Sequence, residues 1–335
     1  MTKTRFVAPL VLLVAVSAPF WLIQTNFVLS LMIQTLIFMA AAIAWNIISG
    51  FGGQLSFGHS AFFGLGAYTS VLLFVNFDIS PWVGLLPAGI VAAVAAVLIG
   101  LPSFRLRGIY FTLVTFTVTL IFAILAGHFD GLTGGNVGLS VPFQRGNVAV
   151  MQFENRVWFY YLGLALVAIT FTVSAFVLRS RLGYWLRAIR DDEVAAQASG
   201  VNITRTKMTA LVISAFLTGL AGVIYAQFTL FIDPQGAFGL ATASLIALPA
   251  IAGGLGTLWG PVLGALLLIP LEQLVDDRIT GAPPGLSLVV YSGIIIIIVL
   301  LDRGGIMSLL NRIAARLRRG RGAGSGILAR DATEG

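Results

Sequence analysis

Long apolar runs separated by short polar segments dominate this chain of 335 residues. A membrane-spanning helix needs about 20 mostly apolar residues, and somewhat fewer where neighbouring helices shield it from lipid. The runs therefore predict an all-α, polytopic integral membrane protein with about ten transmembrane helices, the last three being the shortest. The predicted spans are 6–24, 27–48, 58–77, 82–101, 108–127, 157–178, 208–232, 240–255, 259–274 and 286–301.

The basic residues predict the orientation of these spans. Cytoplasmic loops close to membrane spans carry an excess of Lys and Arg. With the N-terminus in the cytoplasm, all but three of the 20 Lys and Arg residues fall on the cytoplasmic side, the exceptions being Arg145, Arg156 and Arg278. Merging the eighth and ninth spans would move the basic tail to the outside and break the rule. We therefore predict that both termini are cytoplasmic.

The predicted domain organisation is a transmembrane domain over 1–302 followed by a basic tail over 303–335. Within the domain, 179–207 forms a cytoplasmic loop and 128–156 forms a periplasmic loop. The tail is rich in Gly and Arg, which is typical of disorder, and its charge suits an anionic membrane leaflet. A signal peptide is an alternative for the first span, although Pro19 would give a poor cleavage context.

The composition excludes several kinds of chemistry. The chain has no Cys, so disulfides and thiolate metal sites are excluded, and His59 and His128 lie far apart without a zinc-binding spacing. No G-x-x-x-x-G-K-[ST] motif occurs, and neither Lys3 nor Lys207 follows a glycine loop that could hold ATP phosphates. We expect no catalytic residue, no metal and no cofactor in this chain.

The carboxylates argue against an ion-coupled secondary transporter. Such transporters normally keep an acidic residue inside the membrane as a proton or sodium relay. Here the acidic residues in or beside the predicted spans all fall near the outer surface, and they are Asp78, Asp130, Glu154, Asp233, Glu272, Asp276 and Asp277. A membrane enzyme would also need a polar cluster at one membrane face, and no such cluster is visible in the sequence.

A segment with seven charges in 21 positions, RAIRDDEVAAQASGVNITRTK at 187–207, lies in the predicted cytoplasmic loop. Asp191 or Asp192 can cap a short helix, Glu193 suits its first turn, and Gly200 suits a left-handed residue after its end. A helix of about eight residues is unstable alone in water, so it must pack on something. Two hypotheses remain open: the helix rests on its own membrane domain, or it docks a cytoplasmic partner.

This segment resembles the cytoplasmic coupling segment of ATP-binding-cassette (ABC) importer permeases, specifically the branched-chain amino-acid permease family of the LivM type. One residue separates Glu193 from Ala195, whereas the broader importer pattern is E-A-A-x-x-x-G, and the downstream I-x-L-P is absent. The resemblance extends over about 27–302. Four more motifs share it: FGGQLSFGHSAFFGLGAYT at 51–69, LRGIYFTLVTFT at 106–117, LTGGNVGL at 132–139 and GGLGTLWGPVLGA at 253–265.

The resemblance implies an assembly in the bacterial inner (plasma) membrane. Its expected members are a second, homologous permease subunit of the LivH type, two cytoplasmic ATP-binding subunits and a periplasmic or lipid-anchored solute-binding protein, surrounded by membrane lipid and without nucleic acid. Small residues would allow close approach to an ATPase, and charges would fix its orientation. The implied ATPase-coupling residues are Arg190, Asp191, Asp192, Glu193, Ala195, Ala196 and Gly200.

Two further groups of residues are candidates for the solute route. Polar side chains lie beside glycines where the third span begins, which is typical of a broken helix lining a pathway, and they are Gln54, Ser56, His59 and Ser60. A hydrogen-bonded structural role is the alternative for the histidine. In the periplasmic loop, a gate or a docking site for the binding protein competes with a simple tight turn; its residues are Thr133, Gly134, Gly135 and Asn136.

Glycines around 253–264 predict close helix packing first, with a broken helix as the alternative.

Taken together, the sequence indicates a permease subunit that moves a branched-chain amino acid or a related small solute inward, energised by ATP hydrolysed on other chains. A stand-alone secondary transporter or channel and a polytopic membrane enzyme are the alternatives. The spans contain no recognisable specificity pocket, so the solute does not follow from the sequence.

Overall fold

The computed structural model describes residues 25–106, 108–144, 146–278, 293 and 305–308. Helices dominate these ranges. In the first half they are α1 (Asn26–Asn46), α2 (His59–Phe77), α3 (Pro81–Ser103), α4 (Ile109–His128) and the single turn α5 (Asp130–Thr133). In the second half they are α6 (Val157–Arg179), α7 (Arg181–Asp191), α8 (Glu193–Ala198), α9 (Ile203–Thr229), α10 (Pro234–Phe238), α11 (Leu240–Gly254) and α12 (Gly260–Arg278).

Seven helical segments of the described residues are long and apolar enough to cross a membrane, and Gly260–Val275 is a shorter apolar helix. These eight correspond in order to the second to ninth predicted spans. The all-α, polytopic prediction is therefore confirmed. The first predicted span, all of the tenth except residue 293, and all of the predicted tail except 305–308 lie outside the described residues.

Several helix boundaries differ from the prediction. Helix α9 begins at Ile203 rather than at 208, because Oδ1 of Asn202 caps it by accepting a hydrogen bond from the backbone N–H of Arg205 at 3.0 Å. It ends before 232, because Leu230 adopts a left-handed conformation with φ of 56°. Hydropathy marks the apolar part of a helix, whereas capping groups decide where the helix begins and ends.

Helix α9 packs against α1, α2 and α3 at the centre of the fold. Glycine makes these close contacts possible. A Cβ atom added to Gly222 would overlap the backbone carbonyl oxygen of Phe63, and one added to Gly219 would lie 2.8 Å from Cβ of Ala92. Helix α1 is buried on nearly all sides from Leu36 onward, as expected of a helix enclosed by others.

The predicted periplasmic loop 128–156 contains short regular elements. It contains α5, two short 3₁₀ segments (Gly135–Val137 and Val148–Val150) and strand β1 (Leu139–Ser140). Strand β1 pairs antiparallel with β2 (Phe231–Ile232), which directly follows α9. The loop is therefore attached to the C-terminal end of the central helix α9.

Candidate functional site

The predicted coupling segment forms a compact helical unit, α7 and α8, ahead of α9. Asp192 has an extended backbone with φ of −156°, and its Oδ1 accepts hydrogen bonds from the backbone N–H groups of Val194 at 2.8 Å and Ala195 at 3.0 Å. Gly200 follows the helix with φ of 86°, a conformation that favours glycine. The cap and the terminating glycine lie where the sequence predicts them.

The side of α8 that faces the membrane helices contacts its own chain. Oε2 of Glu193 lies 3.0 Å from Nζ of Lys207 on α9, and Lys207 is fully buried. Ala196, one turn along α8, is also buried. The side chains of Glu193 and Ala196 therefore contact this chain, although the sequence analysis placed them in the ATPase contact.

Arg190, at the end of α7, also contacts its own chain. Nη1 of Arg190 donates a hydrogen bond to the carbonyl oxygen of Gly50 at 3.3 Å. A Cβ atom on Gly53 would lie 2.7 Å from Cγ of Arg190, and one on Gly256 would lie 2.6 Å from its Nη1. Glycines at these two positions therefore leave room for the arginine. Its contact with Asp191, 3.4 Å long and largely exposed, contributes little.

The side of α8 that faces away from the membrane helices is exposed, and its residues are mostly apolar or small. Val194 is 63% exposed, and Ala195 and Ala198 are exposed beside it. A Cβ atom on Gly200 would meet nothing within 4 Å. One side of α8 therefore rests on the membrane domain, as the first hypothesis expects, whereas the other side is not covered by any described residue, so docking of a partner stays a prediction.

A break in helical structure separates α1 from α2, where the sequence predicts it. Helix α1 ends at Asn46, a π-helical turn spans Ile47–Phe51, and residues 52–58 are irregular. π-Helical turns occur frequently at functional sites. Asn46 is buried and bonds the turn between α11 and α12: its Nδ2 donates to Thr257 O at 2.9 Å, and its Oδ1 accepts from Gly256 N–H at 3.1 Å.

Both ring nitrogens of His59 form hydrogen bonds inside the protein. The Ser214 hydroxyl donates to the carbonyl oxygen of Ala44 at 2.6 Å, so it must accept from His59 Nε2–H at 2.7 Å. Nδ1 of His59 then accepts from the Ser56 hydroxyl at 3.2 Å, and Ser56 Oγ accepts from Gly58 N–H. His59 and Ser56 therefore brace α2 against α9 and the preceding segment, and the structural alternative describes this histidine.

Other buried polar atoms have no hydrogen-bond partner among the described residues. Ser60 Oγ, from the predicted pathway group, is one of them, whereas Gln54 lies partly exposed in the irregular segment. Gln227 on α9 is fully buried, and neither polar atom of its amide bonds a group in the part of the chain that the structure describes. Sequence analysis did not single it out, although a lone amide inside an apolar run is the signal that marks it. Such groups are costly unless another polar group reaches them.

The predicted periplasmic group forms a tight turn. The Thr133 hydroxyl donates to the carbonyl oxygens of Ala126 and Phe129, which holds the turn onto α4. Gly134 and Gly135 both have positive φ. Asn136 is exposed at the end of this turn, so it is accessible to a protein on that side.

The described residues contain no group of three or more side chains that could hold a metal ion.

The glycines at 253–264 lie where α11 and α12 cross closely, because a Cβ on Gly253 would overlap the Gly260 carbonyl oxygen and one on Gly264 would overlap that of Pro249. Helix packing accounts for this motif.

Comparison with known proteins supports the family. The family described as the permease component of the branched-chain amino acid transport system matches residues 27–300. The LivM permease of Salmonella typhimurium is 31% identical, covering 82% of this chain and 69% of its own length. The LivH permease of Escherichia coli K12 is 25% identical over 70% of this chain and 80% of its own.

The L-arabinose permease protein AraH of Azospirillum brasilense is 24% identical over 66% of this chain and 62% of its own length. No solved structure matches. The family match covers more than half of the chain, and the LivM relative is matched over most of its length. This protein therefore belongs to the branched-chain amino-acid transport permease family of ABC transporters, and it is a membrane permease subunit rather than an enzyme.

Proposed function

We propose that this chain carries a branched-chain amino acid, or a chemically related small solute, inward across the bacterial inner membrane. The observation that carries the proposal is the α7–α8 unit, which is anchored to the membrane helices on one side and left exposed by the described residues on the other. The chain has no phosphate-binding loop, so the energy must come from ATP hydrolysed elsewhere. A protein docked on α8 can supply it.

The proposed docking surface consists of Val194, Ala195, Ala198 and Gly200, flanked by the exposed carboxylate of Asp191. Small side chains allow a partner backbone to approach closely, and the flanking charge favours one orientation of the partner. Asp192 contributes by capping α8, and Glu193, Ala196 and Arg190 contribute by holding the unit in place. The partner is a cytoplasmic ATP-binding subunit, which makes this side of the chain, and both termini, cytoplasmic.

The complete transporter is proposed to contain a second permease, two ATP-binding subunits and a periplasmic solute-binding protein. This chain is similar to both LivM and LivH, which supports a membrane pair made of two related chains. Exposed Asn136 and Val137, the latter 83% exposed, supply a contact for the binding protein on the opposite side. Residues 1–302 form the permease domain, and 303–335 form a basic cytoplasmic tail.

The solute route is proposed to follow the broken segment between α1 and α2. Gln54 and Ser60 are its polar lining candidates, whereas Ser56 and His59 hold the segment in position. The relative AraH carries the name of a sugar transporter, so the fold of this family serves more than one kind of solute. Branched-chain amino acids are proposed here because the family match and the LivM similarity agree on them.

Reconstitution tests the proposed function. The chain, its partner permease, the ATP-binding subunits and the solute-binding protein encoded alongside it are placed in liposomes, and uptake of labelled leucine is measured. We expect uptake that requires ATP and the binding protein, and that unlabelled isoleucine and valine compete for. Uptake by this chain alone, driven by an ion gradient without ATP, would instead establish a secondary transporter.

A further inference from the structure

Lys207 is a charged side chain in an unusual place. It is fully buried near the start of α9, and its ammonium group lies 3.0 Å from a carboxylate oxygen of Glu193. The side chain of Glu193 is 22% exposed. A buried ammonium group is costly unless it is paired, so the position of α8 is tied to that of Lys207.

Stability alone does not explain this pair. Replacing a buried ion pair with apolar residues of similar size is often neutral or stabilising, because both charges must lose their water. An ion pair differs from an apolar contact in being directional. The Lys207–Glu193 pair therefore fixes the position of α8 relative to α9 more narrowly than packing would.

The pair completes a ring of polar contacts around the α7–α8 unit. Lys207 joins α8 to α9, and Ser214 on α9 donates to Ala44 O on α1. Gly50 O, in the π-helical turn that follows α1, accepts from Arg190 on α7. Lys207 and Ser214 are about two helical turns apart, so they share one side of α9. The ring links the proposed docking unit to two membrane helices at once.

We propose that Lys207 is a positioning residue that transmits the displacement of α8 into α9, and through α9 into the membrane domain. This inference rests on the proposed docking of an ATP-binding subunit on α8. When the ATPase moves α8, Glu193 pulls on Lys207, and α9 moves with it. His59 on α2, bonded to Ser214 at 2.7 Å, then receives the same displacement.

The test separates docking from transmission. Lys207→Met removes the charge and keeps a long side chain, and Arg205→Met removes an exposed charge two residues away as the matched control. Co-purification of the ATP-binding subunits reports docking, and the amount of solute transported per ATP hydrolysed reports transmission. We expect Lys207→Met to retain the subunits but to lower the transported amount per ATP about tenfold, which is within the usual range of coupling between sites.

Exchange of the two charges, Lys207→Glu with Glu193→Lys, keeps the pair and should restore most of the transport per ATP. The proposal is overturned if Lys207→Met transports as much solute per ATP as Arg205→Met. It is also overturned if the exchanged pair assembles without recovering transport, or if it fails to assemble. Loss of the ATP-binding subunits from the wild-type chain itself would instead refute the docking on α8.

Discussion

The guanidinium group of Arg190 donates a hydrogen bond to the carbonyl oxygen of Gly50, 3.3 Å away and 140 positions earlier in the chain. Gly50 lies in the π-helical turn that follows α1, where carbonyl groups lack helical partners. A cation at the C-terminal end of a helix is also favoured by the helix dipole. The contact therefore holds the proposed docking unit against the break in helical structure.

Arg190→Met should loosen this contact. The lost hydrogen bond is partly exposed, so we expect the free energy of unfolding to fall by only about 1 kcal/mol, less than is usual for a hydrogen bond to a charged group. The rate of solute uptake should nevertheless fall strongly, because α7 would no longer be held to the turn after α1. Melting of the purified transporter and uptake in liposomes measure the two effects.

Arg187→Met is the matched control for this change. Arg187 lies on the same helix, and the only hydrogen bond of its side chain among the described residues is to the carbonyl oxygen of Gly183 within that helix. Equal loss of transport in the two variants would show that the charge of α7, and not the contact with Gly50, is what matters.

His59→Phe should destabilise the protein without changing its solute preference. The substitution removes the acceptor of the Ser56 hydroxyl and the donor to Ser214, which costs about 1–3 kcal/mol for buried polar groups left unpaired. Melting should therefore occur at a lower temperature. Inhibition of leucine uptake by a series of amino acids should give the same order as in the native protein.

His128→Phe, at the exposed C-terminal end of α4, is the control and should melt like the native protein. A changed order of inhibitors in His59→Phe would contradict the structural role of this histidine, because it would show that the ring contributes to recognition of the solute.

Single cysteines test the predicted orientation, and they can be introduced freely because the chain has none. Ser140 and Ser199 are both exposed, the first in strand β1 and the second after α8. In intact cells, a cysteine at 140 should react with a membrane-impermeant thiol reagent, and a cysteine at 199 should react only after the cells are opened. The opposite pattern would place both termini outside.

Local features of this fold follow from the sequence, and distant contacts do not. Asp192 as a helix cap and Gly200 as a terminating residue were predictable, because each acts on neighbouring backbone groups. The apolar runs likewise predicted the spans of the described residues.

The contacts of Arg190, Glu193 and His59 were not predictable. They join positions that only the packing of α1, α2 and α9 brings together, and hydropathy carries no information on which helices are neighbours. For the same reason, sequence analysis placed Glu193 at a partner surface, whereas its carboxylate lies against Lys207. A charged residue in a polar segment looks the same whether its partner is on another chain or on its own.

Ala195→Arg tests the central claim most directly, namely that α8 docks an ATP-binding subunit. Ala195 is exposed on the side of α8 that faces away from the membrane helices, and arginine is a good helix former, so the helix and the membrane spans should be retained. The control is Ala323→Arg in the basic tail, which adds the same side chain away from α8 in the sequence. The measurement is the amount of ATP-binding subunit that co-purifies with each variant from membranes containing equal amounts of the permease. We expect Ala195→Arg to lose most of the bound subunit while Ala323→Arg retains it, and full retention by Ala195→Arg would contradict docking on α8.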